Sequence, residues 1–512
     1  MQLGIVVGYL LVALAVGLVA YRLSERTAED YYLASRTFGT VVLLFTMFAT
    51  LLSAFTFFAG PDTAYAFGPE WILVMGVMDG IIFAVLWYVI GYKQWLLGKQ
   101  HGYVTLGEML GDRFGSTGLR TLVAGVSIFW LFPYVMLQQI GAGLALRSLT
   151  EGTVPFWGGA ALVTVFMIGY VALAGMRGIA WTDTLQGAFM LLAVWAAVGW
   201  VLSSAGGIGT INEGLATNSA EFLALGSDFY TPGTMLTLAI SIAFGVAMFP
   251  QVNQRFFTAT SDAVLKRSLS LWPIMVLLLF VPAFLLGTWA RGLGLQADIG
   301  ANESILPILL AEFTTPWFAA LVIAGAIAAM MSSSDSMLLS GSSYFTRDIY
   351  RPLVDDSLSE RREDLLGRVG VAVFALGALL ASIWVEAGTV GAETVGSIIV
   401  DIGDLAFGGF AQMALPVIVA LYYQGTTRKG MLAGILVPQV AYLAFNFLPA
   451  TTVGGATLFA ETYFGWGISI YCMLLGAVVT AGVSTLTAPS AEEDAELYFE
   501  NLSRNVDSVS DD

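Results

Sequence analysis

Thirteen stretches of about twenty apolar residues recur along this 512-residue chain, and an apolar helix of that length is what crosses a bilayer. They lie near 3–21, 38–60, 70–92, 120–148, 156–175, 178–203, 233–250, 268–291, 316–345, 368–386, 392–423, 428–447 and 464–487. Only 11% of residues are charged and 57% are hydrophobic, against roughly 25% charged in soluble domains. The expected fold class is therefore an all-α integral membrane protein with about 13 transmembrane helices, its main partner the lipid bilayer.

Composition also removes function classes. One cysteine, Cys472, and one histidine, His101, cannot build a disulfide, a Cys/His metal cluster or a histidine-based triad. The net charge of −16 argues against nucleic acid as a partner and fits a high-salt habitat. Leu3 to Tyr21 lacks a basic leader and reads as a retained first span. The segment 105–114 (TLGEMLGDRF) is too short and polar to cross and reads as an amphipathic helix lying at the surface, with 302–312 similar on the opposite side. Ala491 to Asp512 reads as an acidic polar tail.

Basic residues set the orientation. Loops between alternate spans collect 19 of the 21 Lys and Arg, leaving Arg147 and Arg291 for the other set. The positive-inside rule then places the N-terminus outside and the C-terminus in the cytoplasm of a multi-pass plasma-membrane protein.

The ninth span carries a distinctive face. On a helix, Ala329, Ser332, Ser333, Ser336, Ser340 and Ser343 fall on one arc of about 100°. Hydroxyls are hard oxygen ligands suited to alkali cations. A stripe of small residues also lets helices approach closely, so an ion path and a packing seam are both open. No histidine or well-placed lysine could activate these serines, which argues against an intramembrane hydrolase and against an enzyme altogether.

Breaks are expected at Gly60-Pro61, Pro133, Pro273, Pro282 and Gly408-Gly409 with Pro416, where freed backbone groups must face protein, water or an ion. Acids inside spans are costly unless used. Asp79 lies in the third span, and Asp335 sits about 100° around the helix from Ser336, off the centre of the serine face. Asp401 and Asp404 share a side and could meet water or a substrate amine. Asp183, after Thr182 at the start of the sixth span, suits a first-turn stabiliser.

Four motifs taken together carry a resemblance: SSSDSMLLSGSSYFTRDIY at 332–350, DYYLASRTFG at 30–39, GMRGIAWTDTLQG at 175–187 and PQVNQRFF at 250–257. From Leu3 to past Tyr423 the chain resembles the sodium:solute symporter family, which includes bacterial proline and galactose transporters. The resemblance implies a LeuT-like fold of two inverted five-helix repeats enclosing a midplane site. The implied organisation is a first extra span and loop at 1–29, repeats at 30–203 and 204–424, two further spans at 425–490 and the tail at 491–512. It implies Na+ as coupling ion, held by carbonyls of Ala49, Leu52 and Ala329 and hydroxyls of Ser332 and Ser333, with Asp183 and Ser336 as a possible second sodium site. The implied function is sodium-driven uptake of a small organic solute by alternating access, with no obligate protein partner evident. Candidate solute contacts are Ser53, Thr56, Asp79, Phe407 and Gln412. Leu51 stands where proline-type members carry an aspartate, and the hexose-binding polar set of sugar-type members is not recognisable, so neither proline nor galactose is favoured as cargo. A proton-coupled or uncoupled carrier of the same fold, and a transporter-like solute sensor, are the alternatives.

Overall fold

The computed structural model describes residues 1–23, 27–295, 304–389, 395–453 and 456–489; the expected acidic tail lies outside them. Among the described residues, ten helices are long and apolar enough to span a membrane, and two more spans are helix pairs bent by 67° and 59°. One of the ten, Phe156–Ser204, has 49 residues and turns at Gly175, whose φ of 56° and ψ of −150° only glycine adopts freely. At 1.5 Å per residue such a helix is more than twice the hydrocarbon thickness, so it counts as two spans and the total is thirteen. The turn is tight: a Cβ on Gly175 would stand 2.5 Å from the Tyr31 carbonyl oxygen.

The two bent pairs locate the breaks that matter. The second span is Thr40–Leu51 followed by Phe55–Phe67, broken at Leu52, which is extended at φ −85° and ψ 128°. The seventh is Pro232–Met248 followed by Pro250–Thr258, broken at Phe249. Glycine and proline pointed elsewhere. Gly60 is helical at φ −62° and ψ −53° and serves packing, since a Cβ there would fall 2.0 Å from the Phe284 ring. The helix Val395–Ala411 likewise runs through Gly408 and Gly409, where a Cβ would lie 2.1 Å from Tyr442 and 2.1 Å from Trp130 respectively. The eleventh span is interrupted just afterwards, at Gln412 and Met413. Pro133, Pro273 and Pro282 sit inside continuous helices.

The segment expected at the surface is a correction. Leu106–Arg113 is a helix, capped by Thr105 Oγ1 on the Glu108 amide at 3.0 Å, but Leu106, Glu108, Met109 and Leu110 are buried. Its polar side meets protein instead of lipid headgroups. Glu108 accepts from Arg347 at 2.6 Å, from Arg120 at 3.0 Å and from the Val104 amide at 2.8 Å, while Arg120 also reaches Asp348 at 2.8 Å and Arg347 reaches Glu363 at 2.7 Å. The connection between the third and fourth spans is thus locked to the ends of the fourth, ninth and tenth. The helix Ile305–Phe313 also turns its apolar residues inward, and its start is held by Asp62, which accepts from the Ile305 amide at 2.7 Å and Ser304 Oγ at 3.0 Å. Near the C-terminal spans, Thr451–Val453 pairs antiparallel with Ala456–Leu458, and Thr462–Tyr463 with Trp466–Gly467.

Burial alone would raise the Glu108 carboxyl, but Arg347 and Arg120 outweigh it and hold the group below the ordinary range. Its contribution to stability is therefore complete above the unfolded-state value and is lost as pH falls through the lower folded-state value. Glu108→Gln removes one member of this buried network and should cost about 3 kcal/mol near neutral pH. Thermal unfolding of the purified protein should show the gap between wild type and Glu108→Gln narrowing as pH falls below about 4; a gap that widens on acidification would contradict the assignment.

Candidate functional site

Breaking a helix inside a membrane leaves amides and carbonyls that lipid cannot satisfy. At Leu52 and Ser53 they are satisfied by side chains from two other spans. Ser332 Oγ donates to the Ala49 carbonyl at 2.8 Å and to the Ala329 carbonyl at 2.9 Å. Ser333 Oγ donates to the Thr50 carbonyl at 3.0 Å and also to Leu52 O. On the other side of the break, Gln138 Oε1 accepts from the Ala54 amide at 2.8 Å, and Ser53 Oγ accepts from the Phe55 amide at 3.1 Å. Ala49, Leu52, Ala329, Ser332 and Ser333 therefore place three carbonyl and two hydroxyl oxygens along the buried contact between the second and ninth spans. Sequence reasoning missed Gln138, although Gln138-Gln139 is a costly pair of amides in an apolar span and that cost was the available signal.

The serine face continues toward the short helix Pro250–Thr258. Ser336 Oγ and Asp183 Oδ2 both accept from Arg255 Nη2, at 2.5 Å and 3.0 Å, and Arg255 Nε donates to Thr46 at 3.1 Å. Arg255 and Asp183 are each fully buried. Asp183 also accepts from Thr46 Oγ1 at 2.5 Å, and it lies eight residues beyond the turn at Gly175, inside the helix. The first-turn reading of Asp183 is thereby corrected. Arg255 is the cation between the two residues named for a second ion. Ser343 accepts from Gln254 Nε2 at 2.7 Å, and Ser340 turns back to the Met337 carbonyl at 3.1 Å. Asp335, off this face as helix geometry requires, accepts from the Tyr170 hydroxyl.

Next to the break lies a central chamber of about 30 Å³, room for roughly one water-sized group. Ser53, Thr56, Asp79 and Phe407 line it, as expected, together with Tyr134, Phe249 and Trp272, which were not singled out. Phe407 stacks on Phe249 with ring centroids 5.6 Å apart and meets Tyr134 and Phe55 edge-on at 5.2 Å and 5.5 Å. Gln412 is a correction. Its amide donates to the Gly408 carbonyl at 2.8 Å and toward Ser469 O at 3.4 Å, away from the chamber. Asp401 and Asp404 line a second, larger cavity of about 580 Å³ with Ser241, Tyr442 and Glu461, and Ile242 and Phe407 border both spaces.

The sodium/pantothenate symporter of Escherichia coli is 28% identical over 465 residues, covering 89% of this chain and 93% of that protein. The sodium/proline symporter of Haemophilus influenzae is 26% identical, covering 75% and 78%. A substrate-bound, outward-open Na+-coupled sialic acid symporter superposes with a TM-score of 0.77 over 95% of this chain and 98% of that one, at 22% identity. A nucleobase-cation-symport-1 family transporter in a closed conformation with bromovinylhydantoin bound gives 0.58 over 91% and 97%, at 15% identity. These two likenesses establish the LeuT-like fold. With the model of the family matching residues 31–438, the chain belongs to the sodium:solute symporter family.

Proposed function

We propose that this protein imports a small organic solute into the cell, using sodium bound by the Ala49, Leu52 and Ala329 carbonyls and the Ser332 and Ser333 hydroxyls. The observation that carries this reading is that the Ser332 and Ser333 hydroxyls of the ninth span both bond carbonyls of the second span where it is broken. Each hydroxyl now donates to a carbonyl; turning a lone pair inward instead would offer the ion an all-oxygen shell of the kind hard cations prefer. Sodium there ties the two spans together and favours the conformation that meets solute outside. The relatives named for pantothenate and proline support a small solute as cargo.

The orientation we propose has the N-terminus outside and the C-terminus in the cytoplasm, from the basic-residue asymmetry. Residues 30–203 and 204–424 form the inverted repeats, with extra spans at 1–29 and 425–490. An inward sodium gradient then drives uptake. One charge through 100 mV supplies about 2.3 kcal/mol and a tenfold concentration ratio about 1.4 kcal/mol, together enough for several hundred-fold accumulation of a neutral solute. Asp183 and Ser336 are proposed as a second sodium position that opens only when the Arg255 guanidinium withdraws from between them.

Sodium-22 binding to purified protein tests the first position. Ser332→Ala/Ser333→Ala removes two of five ligands and should weaken sodium binding by about tenfold or more, on the order of 1.4 kcal/mol. Unchanged affinity would refute the assignment. For the buried pair, Arg255→Gln or Asp183→Asn alone should each cost about 3–5 kcal/mol by leaving one member unpaired, while the double variant should cost clearly less than the sum. Additive losses in chemical denaturation would show that the two do not act as a pair.

A further inference from the structure

Asp79 stands out among the chamber residues. It is 7% exposed, and its Oδ1 has no hydrogen-bond partner among the described residues. A carboxyl in so dry a place stays ionised only where something positive approaches it, and otherwise keeps its proton. Most of the chamber wall is apolar or aromatic, with Phe55, Phe83, Phe249, Trp272, Phe280 and Phe407 in it. Aromatic faces carry negative potential and attract cations, most strongly where water is excluded. No Lys, Arg or His lines the chamber among the described residues, so no protein cation there would balance an anion.

A second observation points the same way. The larger cavity beyond Phe407 and Ile242 is lined by Asp401, Asp404 and Glu461, and it too has no basic residue among those described. Asp404 Oδ1 is buried there without a hydrogen-bond partner among the described residues. A cavity lined by charges of one sign concentrates the opposite ions. A positive solute thus meets favourable potential first in the wider space and then, past the Phe407 ring, at Asp79.

We infer that the cargo carries an ammonium-type positive charge, received by the Asp79 carboxylate within the aromatic walls of the central chamber. This rests on the reading of the protein as a sodium-coupled carrier and deepens it by naming the charge class of the solute. Sodium and cargo occupy neighbouring places: Leu52 contributes to the proposed ion shell and also lines the chamber beside Ser53. Sodium closes the wall against which the cargo packs, so each should strengthen binding of the other, and linkage makes that effect equal in both directions.

The test measures sodium-22 binding to the full-length purified protein with butylammonium or butyrate added, a pair matched in size and opposite in charge. The expected result is that butylammonium tightens sodium binding by about fivefold or more while butyrate leaves it unchanged. Asp79→Asn, which keeps the shape and removes the charge, should bind sodium alone as wild type does and lose the response to butylammonium. Asp79→Glu should keep part of that response, which separates charge from folding. Tightening by butyrate, a butylammonium response that survives Asp79→Asn, or no response to butylammonium while sodium binds normally would each overturn the inference and leave the sodium carrier intact. Competition between butylammonium and sodium, with one fewer ion bound in Asp79→Asn, would assign Asp79 to a sodium ion and overturn it as well. Absence of saturable sodium binding in wild type would instead remove the carrier reading on which the inference rests.

Discussion

The structure depends on two serine hydroxyls reaching across to a helix that has stopped being a helix. Ser332 and Ser333 meet the carbonyls of Ala49, Thr50 and Leu52 at the point where the second span is extended. In hydrocarbon an unpaired carbonyl costs several kcal/mol, so this break persists only while another element supplies donors. The same requirement makes the break useful. Oxygens held together by replaceable hydrogen bonds can exchange those donors for a cation without rebuilding the backbone. Span contact, ion affinity and access to the chamber are thereby tied to one set of atoms.

Charge is placed under the same constraint. Arg255 and Asp183 are fully buried, and each is tolerable only through the other and through Thr46 and Ser336. Glu108 likewise sits between Arg347 and Arg120, which lets a short polar helix pack inside the protein. Asp79 and Asp404 differ: among the described residues neither forms an ion pair, and each has a buried oxygen without a hydrogen-bond partner beside a cavity. The paired charges hold spans together, whereas the unpaired ones face cavities where small molecules pass.

Much of this was legible in the sequence. Hydropathy gave thirteen spans because bilayer thickness fixes their length, and helical periodicity placed Ala329, Ser332 and Ser333 on one arc without knowledge of what they faced. The breaks were less legible. Glycine and proline suggested Gly60-Pro61 and Gly408-Gly409, but those glycines make room for Phe284, Tyr442 and Trp130. The break at Leu52 carries no local mark, because its stability comes from Gln138 and Ser333, remote in sequence. Gln412 was misplaced for a related reason: it sits at the interruption after Ala411, where its amide turns to the Gly408 and Ser469 carbonyls. The helix at 105–114 looked like a surface element because its charges were counted without their partners.

The central claim is that sodium holds the second and ninth spans together at Ser332 and Ser333. Hydrogen exchange at the amides of residues 49–56 and 329–336 reports that contact directly, compared in sodium and in potassium at equal ionic strength. Slower exchange in sodium at both segments, with the rest of the protein unchanged, is the result this account predicts. Equal exchange in the two salts at these amides would contradict it.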